Sequence, residues 1–374
     1  MLDVAPVATD IDVTYEDAPR IVIWEMTRAC ALACKHCRAD AIPYRNPGEL
    51  DTEEAYDLVD AVVDCGRPIF VLTGGDPLMR PDVYSIVEYG TRKGLRMAVS
   101  PSATGRLTPV TLAKLSAAGC RRISLSIDGP DAMTHDVFRG VKGSFDRTLA
   151  AAKAAVDLGI EVQINTTIAR HNYRHIEEMA ELLPPLGAVL WSVFFLVPTG
   201  RAQREQCLDA AEHEAVFAQL FDIWLRSPFD VKTTEAPHYR RYVTQRLAEM
   251  APEDRPEKTR GPALRFPAIG DGKGFVFISH LGEVCPSGFL PMVVGNVRSE
   301  RLIDVYRDHP VMQRLRRPDT FSGKCGVCEF NRLCGGSRSR AYAFTGDPFA
   351  AEPCCSYLPA AVRAAQRAPQ ETTP

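Results

Sequence analysis

Between residues 20 and 200 the chain alternates short β-branched runs with longer amphipathic stretches, and this alternation restricts the fold more than any other feature. The candidate strands are RIVIWEMT (20–27), IFVLTGG (69–75), RMAVSP (96–101), RISLSID (122–128), EVQINTTI (161–168) and VLWSVFFLVP (189–198). Helical stretches lie between them, among them TEEAYDLVDAVVDCG (52–66) and TPVTLAKLSAAGC (108–120). The first offers Asp51 or Thr52 as an N-cap and carries acids in its first turn. Strands in regular alternation with helices imply parallel βα units. Six units are too few for an eight-fold barrel, so the α/β options are a partial barrel or an open sheet. In both, ligands gather at the C-terminal ends of the strands.

Directly after the first strand comes TRACALACKHCRADA (27–41), which places Cys30, Cys34 and Cys37 in a C-x3-C-x2-C pattern. A structural zinc site fills all four positions with protein ligands, so a zinc reading needs His36 or a remote residue as the fourth. The other reading is an iron–sulfur cubane in which one iron lacks a protein ligand and is open to a small molecule.

Twelve cysteines in 374 residues, with no basic, apolar signal at the acidic N-terminus MLDVAPVATDIDVTYEDAP, point to a cytosolic chain with metal ligands and buried thiols, not to a disulfide framework. The longest apolar run, AVLWSVFFLVP (188–198), is too short to span a bilayer. The net charge of −3, with no long basic run, argues against a nucleic-acid partner.

After residue 200 the pattern changes. Helical stretches near 210–226 and 236–250 lead into APEDRPEKTRGP (251–262), a Pro- and charge-rich linker. Two short strands, GFVFIS and GEVC, follow, joined by HLG; then come a helix near 300–316 and a cysteine-rich, loop-rich stretch to 355. The tail RAAQRAPQETTP is expected to fray. CGVCEFNRLC sets Cys325, Cys328 and Cys334 in a C-x2-C-x5-C pattern, with Gly326 and Gly335 allowing tight turns around a metal. Four thiolates there would suit a zinc ribbon as well as a cluster. Cys65 and Cys120, at the ends of apolar helices, read as buried small hydrophobes, and Cys207 is isolated.

The pairing of CALACKHC with LTGGDP (72–77) resembles the radical S-adenosylmethionine (SAM) superfamily. The resemblance implies a [4Fe–4S] cluster on Cys30, Cys34 and Cys37, with the amino and carboxylate groups of SAM on the fourth iron. Reductive cleavage of SAM would then give a 5′-deoxyadenosyl radical that abstracts hydrogen from substrate. Gly74, Gly75, Asp76 and Pro77 match the family's GGEP turn, with Asp76 where Glu is commoner. Ser100, Ser102, Ser126 and Asp128 resemble ribose and carboxylate contacts. Arg139 resembles the partner of the SAM carboxylate, and Asn165 a ribose-side residue. His36 stands where the family has an aromatic, suited to packing on adenine. A flavodoxin or ferredoxin is the implied electron donor.

The C-terminal cysteines resemble the SPASM family of extensions, which implies an auxiliary iron–sulfur cluster, of the [4Fe–4S] type, on Cys325, Cys328, Cys334 and a later cysteine. Cys355, 21 positions after Cys334, suits that later role better than its neighbour Cys354. Two further SPASM cysteines are missing, with Glu300 near one place and Ser337 and Ser339 near the other. Cys285 is then a stray thiol, a ligand of the same cluster, or part of a degenerate second site, and one auxiliary cluster is the expected count. The implied architecture is a partial (β/α)6 TIM-type barrel followed by a small cysteine-rich α+β SPASM or twitch-like domain. Its divisions are an N-terminal extension (1–19), a radical SAM core (20–200), a helical bridge and linker (201–262), a SPASM-like domain (263–358) and a tail (359–374).

VCPSGFLPMVVGNV (284–297) and KTTEAPHYRR (232–241) resemble the tetrapyrrole branch of this superfamily, which removes or rearranges propionate and acetate side chains of porphyrins. Glu235 stands where relatives often carry cysteine. Glu235, His238, Tyr239 and Arg240 are the candidate substrate contacts, since a flat acidic macrocycle calls for arginines and aromatics. Modification of a ribosomally made peptide is the competing expectation, although no leader-recognition module fits before residue 20. A third is a non-enzymatic iron–sulfur carrier, which would have no need of the GGD turn.

Overall fold

The computed structural model describes residues 15–255, 257 and 268–367. Half of the expected linker, the first fourteen residues of the N-terminal extension and residues 368–374 of the expected frayed tail lie outside the described residues. The chain runs β1 (Ile21–Glu25), α1 (Thr52–Asp64), β2 (Ile69–Thr73), α2 (Val83–Arg92), β3 (Arg96–Val99), α3 (Pro109–Ala117), β4 (Arg122–Ser126), α4 (Ala132–Arg139) and α5 (Ser144–Asp157). It continues through β5 (Glu161–Ile168), α6 (Ile176–Glu181), β6 (Ala188–Phe195), α7 (Ala210–Arg226), β7 (Asp230–Thr234) and α8 (His238–Glu249). The C-terminal part holds β8 (Phe275–Ile278), β9 (Glu283–Cys285), β10 (Gly295–Asn296), α9 (Leu302–Asp308), α10 (Pro310–Leu315), α11 (Gly323–Gly326), α12 (Arg338–Thr345) and α13 (Ala360–Arg367).

All six strands expected from the alternation form, in order and parallel. The sheet, however, has ten strands in the order β10-β9-β8-β1-β2-β3-β4-β5-β6-β7. Two parallel strands beyond the expected six complete its core. β7 pairs with β6, Val231 opposite Trp191, inside the stretch expected to be a helical bridge. β8 pairs with the free side of β1, Ile21 opposite Phe275, so the hairpin expected to belong to a separate C-terminal unit extends the main sheet. β7 is hard to see in the sequence because DVKTT is short and places charges on alternate positions. Although eight strands run parallel, β7 and β8 do not pair, and the barrel stays open.

The two faces of the strands have different tasks. Val22, Trp24, Phe70, Leu72, Ile123, Leu125, Val162 and Ile164 are buried in the core between sheet and helices. α1 meets this face with Ala55, Leu58, Val59 and Val62, the i, i+3, i+4, i+7 set of an amphipathic helix. Each fully buried Leu or Val among them contributes about 1.5–3 kcal/mol. Asp51 caps α1 in a capping box with Glu54. The alternate residues, including Ile21, Val71, Ser124, Gln163, Leu190 and Phe275, face one cavity of 1210 Å³. Residues from all eight parallel strands share it, so the sheet curls around it.

Candidate active site

Cys30, Cys34 and Cys37 lie in the loop after β1, where the strand's C-terminal end opens toward the cavity. That loop is held by backbone contacts to the turn after β2: Gly75 N donates to Thr27 O and Asp76 N to Ala29 O, both at 2.7 Å. The approach explains the two glycines. A Cβ on Gly74 would sit 2.4 Å from Thr27 O, and one on Gly75 would sit 2.4 Å from Ala29 O and 2.6 Å from Arg28 O. Both glycines are therefore needed by the cysteine loop itself, beyond any need to admit a ligand. Ser102 ties the same parts together, its Oγ donating to Gly75 O at 2.9 Å and lying 3.5 Å from Cys30 Sγ. A further anchor is Glu25, which accepts from Arg38 at 2.6 Å and pairs with His280 at 2.9 Å, joining β1, the cysteine loop and the β8–β9 turn.

The three thiols line a niche of 180 Å³ together with Gly74, Gly75, Ser102 and Arg139. Donors face each of them: Leu32 N to Cys30 Sγ at 3.3 Å, Ala41 N to Cys37 Sγ at 3.4 Å and Arg139 Nη1 to Cys34 Sγ at 3.8 Å. Among the described residues, no group of three or more His, Cys, Asp or Glu side chains is arranged around a single ion. The residues present fit a [4Fe–4S] cluster with one corner left to a small molecule: three free thiols about one niche, each with a donor, and an arginine at its edge.

The other residues expected around SAM separate into two sets. Gly74, Gly75, Ser100, Ser102, Ser126, Arg139 and Asn165 line the large cavity. Asp76, Pro77 and Asp128 are buried behind it. Asp76 accepts from Leu78 N, Ser102 N and Thr104 Oγ1 at 3.1, 3.3 and 3.0 Å, anchoring the GGD turn from within. Asp128 accepts from Arg139 Nε at 2.6 Å and Thr167 N at 2.7 Å, so it positions the arginine. Burial raises its pKa, but Arg139 and the neighbouring His36 and His135 outweigh that and hold it below the usual carboxylate range. His36 stacks on Phe138 at 3.8 Å, and burial, reinforced by Arg139, pushes its pKa down to about 3.

At the far side of the cavity the second thiol group assembles. Burial raises the Cys328 and Cys334 thiols, and the nearby Cys325 and Cys355 sulfurs raise both further, which puts the four close together. Cys334 lines the cavity beside Gly335, Gly336 and Ser337. Cys354 and Cys285 stand apart from this group. The Cys354 thiol turns the other way, donating to Leu208 O at 3.5 Å near Cys207 and Arg340. Cys285, buried on β9, has Glu283, Arg38 and Glu25 as its charged neighbours. Neither thiol lies among the four, in keeping with the preference for Cys355 over Cys354 and with the stray-thiol alternative for Cys285.

Of the four candidate substrate contacts, Glu235, Tyr239 and Arg240 line the cavity. His238 does not. It is 1% exposed, stacked on His213 at 5.3 Å and edge-on to Phe217 at 4.8 Å, so it belongs to the aromatic core under α7 and α8. Glu235 sits in the left-handed region at φ 59°, held there by Arg340 Nη1, which donates to Glu235 O at 2.6 Å, and by Ser337 Oγ, which donates to its carboxylate. Burial, helped by the nearby Asp271, pushes the Glu235 pKa up to about 8.

Residues 24–183 match the radical SAM superfamily. Over 351 residues the chain is 44% identical to the AdoMet-dependent heme synthase of Nitratidesulfovibrio vulgaris, covering 92% of this chain and 95% of that one. The chain belongs to the radical SAM superfamily. The pre-heme d1 synthase of Dinoroseobacter shibae is a more distant relative of this radical SAM enzyme, 29% identical over 91% of this chain and 87% of that one. Its fold is similar to that of SuiB from Streptococcus suis, solved with the precursor peptide SuiA bound, with a TM-score of 0.70 at 17% identity over 91% of this chain and 76% of SuiB. Membership implies a SAM-binding [4Fe–4S] cluster and SAM itself. Among the described residues no helix is long and apolar enough to cross a membrane.

Arg38, Lys232 and Asp271 also line the cavity, and sequence reasoning missed them. Arg38 follows Cys37 directly and stacks over Phe277 at 4.7 Å. Lys232 lies on a short strand whose alternate positions carry charge, so no apolar alternation marks it in the sequence.

Proposed function

We propose that this radical SAM enzyme takes hydrogen from propionate side chains of an iron porphyrin and releases their carboxylates in the making of a heme-type tetrapyrrole. Conversion of a propionate to a vinyl group with loss of CO2 removes one hydrogen atom and one electron from the substrate. The observation that carries the reading is a single cavity bordered at one side by Gly74, Gly75, Ser102 and Arg139 and at another by Cys334. Its volume, 1210 Å³, exceeds the about 300–1,000 Å³ of pockets for drug-sized ligands. Apolar inward residues such as Ile21, Val71, Leu190 and Phe275 suit a macrocycle face, while Arg122, Lys232, Arg240 and Lys273 suit its carboxylates.

Cys30, Cys34 and Cys37 would hold the SAM cluster, which with SAM supplies the hydrogen-abstracting 5′-deoxyadenosyl radical. Arg139, positioned by Asp128, would receive the SAM carboxylate, and Ser100, Ser126 and Asn165 would face its nucleoside. Asp76 and Pro77 would act behind them by shaping the turn. Cys325, Cys328, Cys334 and Cys355 would hold one auxiliary iron–sulfur cluster able to accept the electron. The division into core, bridge and SPASM-like domain is part of this reading, as are a cytosolic location and a flavodoxin or ferredoxin donor. The identity to the heme synthase favours a porphyrin over a peptide.

Anaerobic enzyme given SAM, a reductant and an iron porphyrin with propionates should form 5′-deoxyadenosine, CO2 and a vinyl-bearing product together. 5′-Deoxyadenosine with the porphyrin unchanged, and a modified peptide in its place, would replace this reading with peptide maturation.

A further inference from the structure

Among the described residues, Lys232 is a cation that no carboxylate pairs with. It lies on the inward face of β7, on a rung that register carries from Ser126 through Asn165 and Ser192. Its side chain keeps an exposed surface, and that surface faces the cavity. The charged group acting on it is Arg122, a like charge. Arg122 gives Nε and Nη2 to Glu161, at 2.9 and 2.6 Å, and also lines the cavity. Asp230, two positions earlier on the same face, borders the cavity too but makes no ion pair with Lys232.

An ammonium beside a guanidinium is stabilised by an anion that approaches both. Burial, then Arg122, pushes the Lys232 pKa down to about 8, and among the described residues no carboxylate pairs with its ammonium. A residue kept in that state suits an anionic ligand. The neighbours fit a flat one: Leu190, Trp224 and Val243 border the same cavity and offer apolar surface.

We propose that Lys232, with Arg122 behind it, forms a subsite that captures one carboxylate of the substrate on the rung of Ser126 and Asn165. The inference rests on the porphyrin reading above and deepens it. A propionate held there fixes the rotation of the macrocycle in its plane, which presents a different propionate for hydrogen abstraction. Lys232 is a binding and positioning residue and touches no reacting atom.

The test is an absorbance titration of anaerobic, cluster-loaded enzyme with iron coproporphyrin and with its methyl ester. Lys232→Met should weaken binding of the acid at least about tenfold, the range of a lost charged hydrogen bond, and Lys232→Arg should keep it within about threefold. The ester should bind the parent and Lys232→Met alike. The melting temperature of Lys232→Met without substrate should not fall, since its ammonium has no carboxylate to lose; a fall would assign the residue a structural role and overturn the proposal. Equal binding of the acid by the parent and Lys232→Met overturns the subsite alone. A parent enzyme that binds neither porphyrin overturns the function reading, and this inference with it.

Discussion

The two thiol groups of this molecule are alike in outline and differ in charge. Each has one arginine 3.8 Å from one sulfur, Arg139 at Cys34 and Arg338 at Cys325. Each also receives backbone N–H groups, from Leu32 and Ala41 in the first and from Gly336 and Glu352 in the second. Arg139, however, is paired with the buried Asp128, while Arg338 is held by the carbonyl oxygens of Pro348 and Ala350 at 3.0 and 2.6 Å. Asp271 also lies near Arg338 but makes no ion pair with it, and burial raises the pKa of its carboxyl. A cation cancelled by a carboxylate leaves a cluster's potential low; one held only by dipoles raises it. The first environment suits a strong electron donor and the second an acceptor. The count of sulfurs teaches the same lesson, three around an open niche against four facing one another.

The largest effect tests the open niche. Replacing Cys30, Cys34 and Cys37 together with Ala should lower SAM cleavage to below about one-thousandth of the parent rate, measured as 5′-deoxyadenosine. Replacing Cys325 and Cys328 with Ala should instead leave 5′-deoxyadenosine formation in place and stop product. Loss of both activities in that variant would make the second group structural and end the comparison. Within the second group, Cys355→Ala should remove about four iron atoms per chain, while Cys354→Ala should leave the iron count unchanged. The reverse result would exchange the two neighbours.

Much of this contrast is legible in the amino-acid sequence. The six alternating strands, the helix caps and the loop holding Cys30, Cys34 and Cys37 follow from local signals: period-2 alternation, capping residues and close cysteine spacing. The choice of Cys355 over Cys354 is legible only as a preference, because adjacent residues in an irregular loop differ by which way each side chain turns. β7 itself and the pairing of β8 with β1 are obscured for separate reasons. β7 carries Lys232 inward, so it lacks an apolar alternation, and β8 reaches β1 across more than two hundred residues of sequence. His238 illustrates the opposite error. The HYRRY run looks like a polar surface, yet α8 turns His238 into the core while Arg240 faces the cavity. Helical phase, which a cluster of polar residues hides, decides between them.

Smaller effects sharpen the electrostatic contrast. Asp128→Asn keeps the shape of the side chain and removes its charge, leaving Arg139 unneutralised beside Cys34. SAM cleavage should fall about tenfold, the lower end of what loss of such a supporting contact does to a metal site, and the SAM cluster's potential should rise. If the potential does not move while the enzyme loses stability, Asp128 serves the fold alone. Arg338→Gln is the mirror experiment and the gentlest. Glutamine can still donate toward the carbonyl oxygens of Pro348 or Ala350 but brings no charge to Cys325, so the second cluster's potential should drop by tens of millivolts in an anaerobic redox titration while the first stays where it was. Product formation should slow only modestly, because the electron still has an acceptor, now a weaker one. An unchanged potential would mean that solvent, and not Arg338, sets the charge at the second group, and the difference between the two sites would then have to come from their exposure.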